Sequence, residues 1–492
     1  MTIDNALSSL ANVFTFESML FIIIGVFVGL VIGALPGLSV TLGVALMLPF
    51  TFGMSPTSGM LMLVGVYCSG IFGGSITAIL LRTPGTAASI MTANDGYALA
   101  AQGKAYKALS MSLYASVIGG LLSGFSLLLI APIIAKFALS LGSPEYFVII
   151  LFSLTVIAGI SGNSLSKGLI MAFFGMLVST IGIDPIVGNQ RFVFGSYYLI
   201  SGIDIIPALI GLFAISEILN QIERRAKSIS VSKKINEGKF GLRKIKPYLK
   251  TIFKSSAIGI FFGAMPGIGG ATASAVSYNE ARRKSDNPEE FGQGSLDGIA
   301  ASESANNGTT GVTLIPMMTL GIPGDIVTAV LLGALLIQGL VPGPQLFVKH
   351  GDFAYTVMFG FIVVNIIVFI IAKLTIRWFV KVTTIPTSLL YPVVLGLCLI
   401  GAYAVSNSLF PVIITVIFGV LGYILPKLEF PIIPILIGLI LGPMAEASLR
   451  QSLILSDGSM LIFFQRPISV IFIVLILAIT VFPIIKRKFS KN

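Results

Sequence analysis

The residues most able to do chemistry lie in four short stretches where hydroxyls, amides and glycines interrupt apolar sequence. The first runs over 36–41, with Ser39 and Thr41 behind Pro36-Gly37. The second runs over 83–95, with Arg82 in front, and holds Thr83, Gly85, Thr86, Ser89, Thr92, Asn94 and Asp95. The third, 266–274, holds Pro266-Gly267, Gly269, Thr272 and Ser274. The fourth extends from Glu303 through Asn306-Asn307 and Thr309-Thr310 to Pro323-Gly324-Asp325. A helix that starts just after Pro-Gly presents its first unpaired N–H groups and about half a positive charge at that end. Glycine lets a ligand approach the backbone, and capping hydroxyls add donors. This chemistry suits a carboxylate bound without many buried cations. The candidate substrate contacts are therefore Ser39, Thr41, Arg82, Thr83, Gly85, Thr86, Ser89, Gly269, Asn306, Asn307, Thr309, Thr310 and Gly324. Carboxamides and carboxylates beside exposed carbonyls suit a hard cation such as Na⁺. That makes Glu303, Asn306, Asn307, Asp325, Asn94 and Asp95 the candidate ion ligands. Two other readings stand beside these. Membrane Ser and Thr commonly bond back to their own helix, and Arg82 suits either a carboxylate or the lipid headgroups.

The elements that must position these residues are broken helices. Gly33-Ala34-Leu35-Pro36-Gly37 is echoed by Gly263-Ala264-Met265-Pro266-Gly267, and Leu81–Thr86 by Leu320–Asp325. Proline removes a backbone donor and clashes with the preceding turn. In hydrocarbon each unpaired backbone group costs several kcal/mol, so such breaks survive only inside protein or beside water. Two similar broken-helix units in one membrane chain are a signature of repeat-built secondary transporters.

Composition places the chain in a membrane. Hydrophobic residues make up 55%, charged residues 10%, and mean hydropathy is +0.99, against about 25% charged residues in soluble proteins. Apolar stretches run from 19–34 to 467–485, several too short for a full span, and predict roughly ten to thirteen crossings. No signal peptide is visible, so the first apolar segment is expected to stay as a helix. Cys68 and Cys398 read as small hydrophobes. The net charge of +11 is not a nucleic-acid signal, because eleven Lys or Arg fall between Arg224 and Lys254. Under the positive-inside rule that loop and the tail Lys486-Arg487-Lys488 with Lys491 face the cytoplasm. The N-terminal tail has acids and no base before Arg82, so it is expected outside. The result is an all-α polytopic membrane protein of two inverted repeats, 15–223 and 255–465. A basic loop at 224–254 separates them, and a C-terminal helix and tail occupy 466–492. Parallel repeats are the alternative. No phosphate-binding loop is present, Gly267–Gly269 alone is weak, and the single histidine, His350, supports neither a relay nor zinc. No cofactor is expected beyond a coupling Na⁺ or H⁺.

In four stretches the chain closely resembles the large membrane subunit of the tripartite tricarboxylate transporters. They are 33–43, 73–103, 303–344 and Leu439–Glu446 through Arg466-Pro467, and the likeness covers about 18–470 in order. The resemblance implies a bacterial inner-membrane importer of small di- or tricarboxylates driven by an ion gradient, not ATP. It also implies a periplasmic binding protein that delivers substrate and a small membrane subunit that completes the complex. Two positions depart from the family's pattern. Arg82 stands where members often carry asparagine, and Asp325 where a smaller uncharged residue is frequent. Two other classes compete with a permease. An intramembrane aspartyl enzyme would pair Asp325 with a second carboxylate such as Asp184 or Asp204, and a passive channel would need no delivery protein.

Overall fold

The computed structural model describes residues 3–162, 164–184, 186–223, 240–379 and 387–489. Residues 224–239 of the basic loop, and Lys491, lie outside them. The described chain is helical apart from an antiparallel pair of two-residue strands, Gly182–Ile183 with Gln190–Arg191. Its first helices are α1 (Ile3–Val13), α2 (Phe16–Gly33), α3 (Val40–Met47), α4 (Pro56–Leu81), α5 (Ile90–Ala101) and α6 (Ala105–Ala138). Then come α7 (Ser143–Ile160), α8 (Leu165–Ser179), α9 (Ile205–Leu209) and α10 (Ser216–Glu223), the last two joined through a π-helical stretch, Ile210–Ile215. Next are α11 (Leu249–Gly263), α12 (Gly269–Lys284), α13 (Leu296–Thr310), α14 (Leu314–Leu320), α15 (Ile326–Ile337), α16 (Pro344–Lys349) and α17 (Gly351–Thr375). The chain ends with α18 (Thr387–Ala404), α19 (Leu409–Lys427), α20 (Ile433–Leu455), α21 (Ile462–Gln465) and α22 (Pro467–Phe489). Among the described residues seven helices are long and apolar enough to cross a membrane, and shorter apolar helices such as α8, α15 and α18 accompany them.

The chain forms two compact units. The first comprises residues 1–134 and 217–401. Its centre is α4, almost wholly buried. In lipid, helices are drawn together by close backbone packing rather than by the hydrophobic effect, and α2 meets α4 along Gly25, Gly29 and Gly33. A Cβ on Gly29 would lie 2.4 Å from the Val66 carbonyl oxygen, and one on Gly33 would lie 2.5 Å from that of Gly70. The same arrangement joins α11 to α13. A Cβ on Gly259 would lie 2.2 Å from the Ala305 carbonyl oxygen, and one on Gly263 would lie 2.7 Å from Thr309 Cα. Gly259 stands 230 residues after Gly29, and Ala305 stands 239 after Val66, so both helix pairs use corresponding positions. Where α13 gives way to α14, the amides of Gly311 and Val312 donate to Ser123 Oγ of α6 at 2.9 and 3.1 Å. That bond satisfies the interruption inside protein, as hydrocarbon requires. At the polar end of α12, Glu280 binds Lys254 at 2.6 Å and also meets Arg283 and Lys284. Lys254 first, then its other cations, hold the Glu280 carboxyl down to about 2.

The second unit comprises residues 135–216 and 402–492. Glycines again set its packing. A Cβ on Gly175 of α8 would lie 2.0 Å from the Ile435 carbonyl oxygen of α20, and one on Gly438 would lie 2.1 Å from that of Ala172. The 180–204 connection is held by charge. Arg450 binds Asp184 at 2.9 Å and Glu446 at 2.8 Å, and Arg191 binds Glu446 at 2.8 Å. The Ile186 amide, with the Val187 amide and the Arg450 guanidinium, holds the Asp184 carboxyl below the usual carboxylate range. A lowered native pKa stabilises the fold above the unfolded value of about 4 and ceases to do so as pH falls through the native value. Asp184→Asn is therefore expected to lower the thermal inactivation temperature at neutral pH. The gap to wild type should close as the buffer is acidified below about pH 4. A gap that stays constant with pH would show that the charge is not what holds the loop.

Candidate functional site

The four paired Pro-Gly breaks, at 36–37, 84–85, 266–267 and 323–324, all fall in the first unit, and corresponding breaks have the same local geometry. After α2, Gly37 takes φ +84°, and after α11, Gly267 takes φ +85°. The hydrogen bonds leading into each turn also match. Leu35 N donates to Ile32 O at 3.2 Å, and Met265 N donates to Phe262 O at 3.2 Å. At the second break of each half, the left-handed residue is Arg82 (φ +56°) after α4 and Gly321 (φ +74°) after α14. Each is followed by Pro-Gly and a capping box, in which a side chain and the third helical residue each satisfy the other's amide. Thr86 and Ser89 form one box, and Asp325 and Thr328 the other.

Within each half the two breaks touch. Gly85 is packed so that its Cβ would lie 3.1 Å from the Gly33 carbonyl oxygen. In the other half Gly267 N donates to Gly324 O at 2.8 Å. Four helical starts follow the breaks: Ser39, whose hydroxyl accepts from Leu42 N at 3.1 Å, then Thr86, Gly269 and Asp325. Ser39, Thr41, Thr83, Thr86 and Gly269 are half-buried, with positions available to a ligand.

The halves also meet each other. Tyr67 of α4 donates to Asp325 Oδ2 at 2.6 Å and lies 3.3 Å from Thr313 Oγ1. Gly270, at the start of α12, faces Asn306 Oδ1, Thr309 Oγ1 and the Ala88 methyl, so that a side chain there would displace the Asn306 carboxamide. Among the described residues, Asn306 Nδ2 and Thr83 Oγ1 are buried polar atoms without a hydrogen-bond partner. Such orphaned groups are rare in folded proteins. Asn307 Nδ2 donates to the Glu303 carbonyl at 3.0 Å, and the Thr309 and Thr310 hydroxyls bond back to Asn306 and Asn307 carbonyls. These last three residues thus satisfy the local alternative open to them.

Two candidate carboxylates have dense environments. Asp95 is fully buried. Its Oδ1 accepts from the amides of Gly292, Gly294 and Ser295 at 2.7, 3.0 and 2.8 Å, and its Oδ2 accepts from the Tyr278 hydroxyl at 2.8 Å. Asp95 therefore anchors the 292–295 turn that precedes α13. Removing it orphans three amides at once, so Asp95→Ala is expected to cost about 2–4 kcal/mol. The check is thermal inactivation in detergent, and unchanged stability would refute the anchor. Glu303, likewise fully buried, accepts from Ser75 Oγ at 2.6 Å, from Ser116 Oγ at 2.8 Å and from the Thr92 hydroxyl. Arg82 and Asn94 are exposed. The Arg82 guanidinium lies 5.7 Å from the centre of the Tyr97 ring, a cation–π contact within its own segment. Asp184, weighed as a catalytic partner, is engaged by Arg450 and its own loop amides.

A family model described as the tripartite tricarboxylate transporter TctA family matches residues 19–437. The chain belongs to this family. It is 34% identical over 472 residues to an Agrobacterium vitis protein described as an uncharacterized 52.8 kDa protein in the TAR-I ttuC′ 3′ region. That alignment covers 95% of this chain and 93% of the relative. A second Agrobacterium vitis protein, from the TAR-II ttuC′ 3′ region, is 36% identical over 211 residues, 43% of this chain and 87% of its own length. No solved structure matches the chain. As a TctA-family protein it is a multi-pass membrane transporter subunit of a tricarboxylate transport system. The structure adds Tyr67, Ser75, Ser116, Tyr278 and Thr313 to the polar groups around the breaks. Ser75 and Thr92 lie within a stretch that carries the family likeness. Tyr67, Tyr278 and Ser116 left no trace in spacing, because each sits in otherwise ordinary helical sequence.

Proposed function

We propose that this TctA-family chain carries small di- or tricarboxylates across the bacterial inner membrane by alternating access, driven by a Na⁺ or H⁺ gradient. It receives substrate from a periplasmic binding protein and works with a small membrane subunit. Its two halves, 15–223 and 255–465, are inverted repeats, with the N-terminus outside and the basic 224–254 loop and C-terminal tail in the cytoplasm.

One observation carries this reading: a matching pair of Pro-Gly breaks, the second with a left-handed residue before it and a capping box after it, occurs once in each half. Open helical starts favour an anion. The unpaired Asn306 amide and Thr83 hydroxyl are polar groups for a ligand to satisfy. Among the described residues, Arg82 is the one Lys or Arg within the four stretches singled out by sequence, so neutral donors carry the recognition.

The test is uptake of labelled di- and tricarboxylates into proteoliposomes that hold this chain, its small subunit and binding protein, with Na⁺ and pH gradients imposed separately. Accumulation that follows one gradient and needs the binding protein supports the proposal. Downhill flux indifferent to both gradients overturns it in favour of a channel.

A further inference from the structure

Glu303 sits in a cage built from four helices of the first unit. Ser75 from α4 and Thr92 from α5 meet Oε1, and Ser116 from α6 meets Oε2. Among the described residues no Lys or Arg pairs with it, so a charge here has hydroxyl dipoles and no countercharge. Several titratable groups on the surrounding helices are committed elsewhere. Asp95 of α5 and Tyr278 of α12 bind each other and the 292–295 turn. Asp297 of α13 accepts from Thr251 of α11, and Lys254 of α11 binds Glu280 of α12. Tyr67 of α4 binds Asp325, and Cys68 of α4 faces Asn365.

The cage continues past Thr92. Its hydroxyl lies 2.9 Å from Ser302 Oγ, which in turn lies 2.9 Å from the Gly298 carbonyl oxygen. Each hydroxyl carries one proton and rotates freely. With Glu303 ionised, Ser75, Thr92 and Ser116 all donate to the carboxylate, and Ser302 donates to Thr92. With a proton on Oε1, Glu303 donates to Thr92, Thr92 to Ser302, and Ser302 to the Gly298 carbonyl. Ser75 and Ser116 keep their roles. Glu303, Ser75, Thr92, Ser116 and Ser302 are each satisfied in both states, and no heavy atom has to move. A glutamate serving only as a fixed structural acceptor would need the first arrangement alone.

We infer that Glu303 is the coupling-proton carrier of this transporter, taking up and releasing one H⁺ per cycle on its Oε1 while the Thr92–Ser302 hydroxyls reverse. This rests on the ion-driven transport proposed above and names its ion as H⁺.

The experiment uses the complete complex in lipid nanodiscs and proteoliposomes. Infrared difference spectra across a pH titration should show a protonated-carboxyl C=O band that is absent from Glu303→Gln. Thr92→Val, which cuts the hydroxyl chain but keeps the carboxyl, should shift the pH at which that band appears. In proteoliposomes E303Q, a fixed mimic of the neutral acid, should still exchange labelled carboxylate. Its accumulation under a pH gradient should fall to the level of the substrate's own gradient. A titrating band untouched by E303Q, or E303Q accumulating like wild type under a pH gradient, would overturn the assignment. So would accumulation in the wild type that follows Na⁺ and ignores pH. Should wild type move no carboxylate at all while the Glu303 band still titrates, the transport reading fails and the proton site remains as a measured fact. Should E303Q not assemble, the T92V spectra decide: a band unmoved from wild type overturns the hydroxyl relay.

Discussion

Asp325→Ala is expected to reduce carboxylate uptake by a factor on the order of ten or more while folded protein remains in the membrane. Asp325 does two jobs at the second break of the second half. Its Oδ1 accepts from Thr328 N at 2.7 Å and so caps α15, and its Oδ2 accepts from Tyr67 of α4 at 2.6 Å. Loss of the cap costs about 1 kcal/mol, and loss of a hydrogen bond to a charged group costs about 1.5–3. Together these weaken the fold without abolishing it. What is lost outright is the tie between the start of α15 and the centre of α4. Asp325→Asn separates charge from geometry, since asparagine caps a helix about as well as aspartate. Uptake lost in D325A but kept in D325N would assign Asp325 to positioning. Loss in both would assign its charge to the transported ion or substrate. Full uptake in both would remove Asp325 from the site. The measurement is initial uptake rate normalised to monodisperse complex on size exclusion.

The largest stability effect is expected at Gly259→Val. A side chain there would start 2.2 Å from the Ala305 carbonyl oxygen, and because the obstacle is backbone no side chain can swing aside. Overpacking in soluble cores costs about 1–3 kcal/mol, and this site lacks the usual means of relief, so the cost should reach about 3 kcal/mol or more. Helices α11 and α13 would have to separate, taking Glu303, Asn306 and Asn307 of α13 with them. Gly29→Val, at the corresponding place between α2 and α4, should behave alike. Gly396→Ala is the control, because nothing lies within 4 Å of its added methyl group. Thermal inactivation of the purified complex reads all three. Wild-type stability in G259V would show that α11 and α13 are not packed as described.

Much about this protein was legible in its residues taken singly or a turn at a time. Composition placed it in a membrane, and four of the five Pro-Gly pairs marked the breaks at Gly37, Gly85, Gly267 and Gly324. Helix starts just after Pro-Gly were visible as well, whereas Asp325 read as an ion ligand and its capping role was not seen. The chain's motifs also agreed with the TctA family to which it belongs. All of these signals are local: a missing proline N–H, an apolar run or a capping side chain acts within one turn of itself. Tertiary structure alone decided what the carboxylates do. Asp95 and Glu303 both read as candidate ion ligands, yet one receives three amides of a distant turn and the other receives hydroxyls from three separate helices. Tyr67 and Asp325 are 258 residues apart and still share a hydrogen bond. A carboxylate's role depends on which donors surround it, and those donors arrive from remote segments only when glycine-lined helices bring them within bonding distance.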